Sequence, residues 1–109
     1  IADAWRMIGR TYAVQHKYDE AVACCRTSQA VAERSGDELR AGGARYVMVQ
    51  CYEELGRLQD AADLLEQVVC MDRKYHLPKL EENTKRLEVL RARLAQAGPN
   101  ASLHGGLRT

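Results

Sequence analysis

Apolar residues recur at helical spacing along most of this chain, and the pattern breaks and restarts four times. Trp5, Ile8 and Tyr12, with Met7 beside them, form a stripe at i, i+3 and i+7 that predicts a helix over about Ala2–Gln15. Gly9 lies on the same side and leaves room for a close neighbour. After a turn at His16-Lys17, a second helix is expected over Tyr18–Arg34, with Ala21, Val22, Cys25, Ser28, Val31 and Ala32 facing inward. Ser35-Gly36 stops it, because glycine accepts the left-handed conformation a helix end wants. Asp37 is a good N-cap for a third helix, Glu38–Leu55, in which Gly42-Gly43 predicts a frayed or late start. Gly56 ends it, and a fourth helix over Gln59–Lys74 turns Ala61, Leu64, Leu65, Val68 and Val69 inward. His76-Leu77-Pro78 reads as a linker, since the residue before proline is pushed away from helix. In the fifth helix, Lys79–Gln96, a narrow stripe of Leu80, Leu87, Leu90 and Leu94 runs through an otherwise charged surface. One face on the array and one in water is the pattern of a capping helix, and Asn83 interrupts the heptads a coiled coil needs.

The pattern also repeats itself. AWRMIGRTYAVQHKYDEA, starting at Ala4, returns 40 positions later as ARYVMVQCYEELGRLQDA, starting at Ala44. Tyr12 is matched by Tyr52 and Ala21 by Ala61. A fixed internal period of this size is the mark of a helical repeat array. The expected organisation is a first unit at 1–36, a second at 37–76, a capping helix at 77–97 and a disordered tail at 98–109. The chain opens at Ile1 just ahead of a helix, which fits a segment of a longer protein.

Composition narrows the function more than the fold. Charged residues make up 28% of the chain and the net charge is +1, with acids and bases mixed throughout, so no nucleic-acid-binding or membrane-binding surface stands out. No apolar run approaches the roughly 20 residues of a membrane span. Cys24, Cys25, Cys51 and Cys70 form no CxxC pair and lie far in sequence from His16, His76 and His104, so they read as reduced thiols. No metal site and no cofactor is expected. Catalysis finds no support: there is no Ser-His-Asp ordering, glycine-rich phosphate loop or HExxH, and the acidic pairs at 19–20, 53–54 and 81–82 suit helix surfaces. The chain is therefore read as no enzyme.

These residues resemble the tetratricopeptide repeat, a helix-turn-helix unit with the pattern W-x2-L-G-x2-Y followed by G-x-Y-x2-A. Trp5, Ile8, Gly9, Tyr12, Tyr18 and Ala21 fit one unit, and Met48, Tyr52, Gly56, Leu58, Ala61 and Leu65 fit the next. His16, Arg45, Val49 and Cys25 depart from it. The resemblance covers about residues 1 to 75. It implies an all-α solenoid of stacked antiparallel helix pairs in a right-handed superhelix, here about five helices with a C-terminal cap. The family's usual period is 34, and the longer period here is similar to the branch seen in kinesin light chains, rapsyn and Leu-Gly-Asn-type spindle adaptors. The implied structural core is Trp5, Gly9, Tyr12, Ala21, Tyr52 and Ala61.

In such arrays the first helix of each pair lines the concave face. The resemblance then places Arg6, Arg10, Val14, Tyr46, Gln50, Glu53 and Glu54 on a partner-binding surface, with Asp3 and Ala13 beside them. Arg6 and Arg10 next to Tyr46 and Gln50 suit an extended acidic or carboxylate-bearing peptide, since guanidinium binds carboxylate bidentately. Arg10 and Val47 stand where a chaperone-tail clamp would carry asparagines, and Arg10 with Gln50 breaks the asparagine ladder of spindle adaptors. The expected function is a protein-interaction module in a larger cytoplasmic scaffold or adaptor, binding a protein or peptide and neither nucleic acid nor membrane. The alternative is self-association, through the exposed end of the array or the C-terminal leucine stripe.

Overall fold

Four turns, evenly spaced, set the architecture. His16, Gly36, Gly56 and His76 all have positive φ (62, 70, 76 and 53°), and each follows its predecessor by 20 residues. At each turn the amide two positions past the helix cap donates back to the carbonyl five residues earlier: Lys17 to Tyr12, Asp37 to Ala32, Arg57 to Tyr52 and Leu77 to Asp72, at 2.8–2.9 Å. Each positive-φ residue also donates to the carbonyl three back, so the turns close through main-chain bonds in the Schellman pattern.

The computed structural model describes residues 1–97, and the tail expected at 98–109 lies outside the described residues. The turns divide the described chain into α1 (Ala2–Val14), α2 (Tyr18–Arg34), α3 (Glu38–Glu54), α4 (Leu58–Lys74) and α5 (Leu80–Ala97). The ends fall within one residue of the expected ones, as helix ends fray. Consecutive helices pack against each other, and α1 also touches α3. The result is an all-α solenoid, with no strand among the described residues.

α3 sits at the centre, with α2 on one side and α4 on the other. That position explains its composition: Ala41, Gly42, Ala44, Val47, Met48, Val49, Cys51 and Tyr52 are all buried, so apolar or small residues occur around nearly its whole circumference. Met48, Leu65, Leu90 and Val49 are the largest apolar side chains fully enclosed. The core continues into α5 through Leu87 and Leu90, with Leu80 and Leu94 packed at its margin.

Two expectations need correction. α3 starts at Glu38 and runs unbroken through Gly42-Gly43, its start held by Asp37, whose side chain accepts from the Arg40 amide at 3.1 Å. The glycines serve close packing: a Cβ on Gly42 would collide with the Met71 thioether, and one on Gly43 would lie 2.5 Å from the Arg6 guanidinium. Trp5, expected in the core near Ala21 and Cys25, is 38% exposed, with Ile8 and Met7 at 44% and 56%. The position nearest those two residues belongs to Gly9, where a Cβ would stand 2.7 Å from Cys25 Sγ and 3.1 Å from the Ala21 carbonyl. Trp5 stands partly in solvent on α1, while its counterpart Arg45 on α3 reaches α2 and pairs with Glu33 at 2.8 Å. Gly9, Ala21, Tyr52 and Ala61 are buried, and Tyr12 is half-buried against the core.

Candidate partner-binding groove

The first helix of each pair contributes one wall of a shared depression. A cavity of about 500 Å³ lies between the end of α1 and α3, lined by Arg10, Val14, Gln50, Glu53, Glu54 and, from α5, Arg86. A second, of about 310 Å³, is lined by Arg6, Arg10, Tyr46, Gln50 and Lys79. Arg10, Val47 and Gln50 border both, so the two join into one groove. All seven residues expected on the concave face lie along it, and Ala13 does as well. Asp3 lies outside it and holds Arg40 at 3.0 Å and Arg6 at 3.5 Å.

The electrostatics differ along its length. Arg10 is exposed, at the join, and pairs with no acid among the described residues. Arg6 is held against Gly43. Glu53, expected on the partner-binding face, is neutralised by the guanidinium of Arg86. The same guanidinium donates to the Tyr46 hydroxyl at 3.2 Å and lies 5.5 Å from its ring centroid, and Lys79 approaches that ring at 5.3 Å. Burial draws Arg86 down, yet hydrogen bonding and charge from Glu53, then Tyr46, leave it raised, so it stays cationic. At the other end His16 shares a 2.8 Å hydrogen bond with Tyr18, whose phenol is pushed up by desolvation and then by the Glu54 carboxylate. The groove thus presents cations from α1, from α5 and from Lys79 just before it, with Glu54 an acid that pairs with no cation among the described residues.

Arg86 and Lys79 went unrecognised because α5 reads as a charged cap. The signal was nonetheless present: positions 6, 46 and 86 share one phase of the 40-residue period and carry Arg, Tyr and Arg. The buried thiols take no part in the groove's charge. Cys25 is pushed up to about 12 by burial, with Cys51 adding to it, and Cys51 is raised by burial too. Among the described residues no group of three or more His, Cys, Asp or Glu is placed to hold a metal, and no helix is long and apolar enough to cross a membrane.

Comparison with known families gives one match: the model described as tetratricopeptide repeat covers residues 1–74. No curated protein and no solved structure matches the chain significantly.

Proposed function

The chain belongs to the tetratricopeptide repeat family, and from that membership we propose a non-catalytic interaction module that holds an extended acidic segment of a partner protein along α1, α3 and α5. Proteins of this family generally mediate protein–protein interaction. The observation that carries the finer reading is Arg10, a cation exposed at the join of the two cavities that pairs with no acid among the described residues. A carboxylate arriving there gains a bidentate partner without displacing an internal ion pair. The two-unit division at 36/37, with residues 77–97 as a cap, is supported by the equal spacing of the turns. The same spacing supports the long-repeat branch of the family. Four free cysteines support a cytoplasmic setting within a larger scaffold.

The test is a fluorescence titration with a labelled glutamate-rich peptide. Arg10→Glu is expected to weaken binding at least tenfold and leave the melting temperature unchanged, because the side chain is exposed and forms no ion pair among the described residues. Binding that survives Arg6→Glu combined with Arg10→Glu removes the groove assignment.

A second reading rests on the uncovered face of α1, where Ile1, Trp5, Met7 and Ile8 are all exposed. Such a patch fits self-association. The leucine stripe of α5 is a weaker route, since Leu87 and Leu90 are already buried within the chain. Sedimentation at rising concentration decides: a strict monomer at the highest usable concentration removes this reading.

A further inference from the structure

Beside the groove, between the start of α3, the end of α4 and the start of α5, lies a cavity of about 330 Å³. Its walls are mostly apolar, with Leu39, Met71, Leu77 and Pro78 among them. Of the polar side chains that line it, two are almost completely buried: Asp72 at 4% and Asn83 at 1% exposure. They are joined by one hydrogen bond, Asn83 Nδ2 to Asp72 Oδ2 at 2.8 Å. Asn83 Oδ1 is buried and receives no donor. Among the described residues no cation pairs with Asp72. Lys79 lines the same cavity but lies with its ammonium over the Tyr46 ring.

A buried carboxylate without a cation and a buried amide oxygen without a donor are both costly, and both lack the same thing. The missing partner is a positively charged donor of several hydrogens, reached through an apolar sleeve. We propose that this cavity is an anchor site for a basic side chain of a partner protein, its aliphatic stem against Leu39, Met71 and Pro78 and its cationic head donating to Asp72 and Asn83 Oδ1. Lysine and arginine share this design, an apolar stem ending in a cation that only donates. The cavity borders the groove through Gly43, Tyr46 and Lys79. If the groove reading also holds, one partner segment carries an acid for Arg10 and a base for Asp72. The anchor site itself does not depend on that reading.

The probe is n-pentylamine, with n-pentanol as a neutral control of the same shape. Binding is followed by NMR through the Met71 methyl and the Asn83 side-chain amide. The amine is expected to give a saturable shift of both signals, at least tenfold tighter than the alcohol. Equal binding of the two overturns the proposal, because the cavity then takes any apolar chain, and no saturable shift from the amine overturns it as well. Asp72→Asn removes the charge, keeps the shape and offers Asn83 Oδ1 a donor from within. That variant is expected to lose the amine at least tenfold while holding or raising the melting temperature; an unchanged titration rejects the role of Asp72. The wild-type contrast of amine and alcohol decides even if the variant folds poorly. Arg10→Glu is expected to leave amine binding intact, so failure of the groove reading and failure of this one are separable.

Discussion

The same three-helix junction occurs twice in this chain, 40 residues apart, and the two copies are built differently. Where α1, α2 and α3 meet, Ala2, Ala32 and Ala41 are buried together, the Ser28 hydroxyl donates to the Ala2 carbonyl at 2.7 Å, and Arg6 lies on Gly43. Where α3, α4 and α5 meet, the corresponding positions hold Gly42, Asp72, Glu81, Val68, Tyr46 and Asn83. Backbones of α1 and α3 lie close together, whereas α3 and α5 are bridged by long side chains, Arg86 and, just before α5, Lys79 onto Tyr46. Small residues close the first junction; a buried acid and an amide keep the second open. A repeat fixes where helices lie, and single residues within it decide whether a junction is sealed or hollow.

The largest effect is expected from the residue whose environment differs most between covered and uncovered ends. Tyr52 is 4% exposed, its hydroxyl receives Arg26 at 2.7 Å, and Arg57 stacks on its ring at 4.9 Å. Tyr52→Ala should cost roughly 3–5 kcal/mol, the usual range for a buried aromatic. Tyr12→Ala, at the half-buried counterpart, should cost less, and Trp5→Ala least of the three. Urea melts rank them; a Tyr52→Ala protein as stable as the parent would place that side chain on the surface.

Exchanging the residues that distinguish the junctions comes next. Asn83→Gly should cost about 1.5–3 kcal/mol, combining a glycine inside a helix with loss of the Asn83 hydrogen bond to the Asp72 carboxylate. Gly43→Asn should cost about 1 kcal/mol or less, since a new side chain there meets the movable tip of Arg6 rather than backbone. Similar losses from both changes, measured by denaturant unfolding, would mean that the junctions are energetically alike. The turns entering the two junctions offer a finer comparison. Gly36 holds its positive φ freely, whereas His76 carries the Cβ penalty. His76→Gly should therefore stabilise by about 0.5–1 kcal/mol, while Gly36→Ala should destabilise by about 1 kcal/mol.

The smallest effect concerns acid. Asp37 is held below the usual carboxylate range by the Arg40 side-chain and backbone hydrogen bonds, and Glu38 by hydrogen bonds from Tyr75 and then Lys74. A carboxyl depressed on folding contributes stability above its ordinary range and loses it as pH falls through the folded value. Melting temperature should fall modestly between pH 5 and pH 3, and less in Asp37→Asn with Glu38→Gln. An identical slope in that double variant would assign the acid sensitivity elsewhere.

Helix spans and their inward faces were legible because they depend on local periodicity and on turn residues such as Gly36 and Gly56. The face of Trp5 was not, because its burial depends on a neighbouring helix, and no residue of α1 encodes whether one is there. Gly42-Gly43 looked like a flaw for the same reason: the penalty is local, but the purpose lies in Met71 and Arg6. Asn83 and Arg86 were hidden by composition, since a charged helix gives no hint which of its polar residues turn inward. The α1 and α3 residues that line the groove were named through the family resemblance, which assigns the first helix of each pair to the concave face. The cavity beside Asn83 could not, because it exists only where those copies differ.

The evenly spaced turns also make the array a ruler. Neighbouring first helices in contact, as α1 and α3 are, lie about 8–10 Å apart. An extended chain advances about 3.3 Å per residue. The step from α1 to α3 therefore spans about three residues of anything stretched along the groove, with Arg6 and Tyr46 as its two marks. Because the turns close through main-chain bonds, the side chains between the marks are free to vary while the scale stays the same. A partner lying along the groove would then be registered against a three-residue step, and inserting a single residue between its charged positions would carry one of them off its mark.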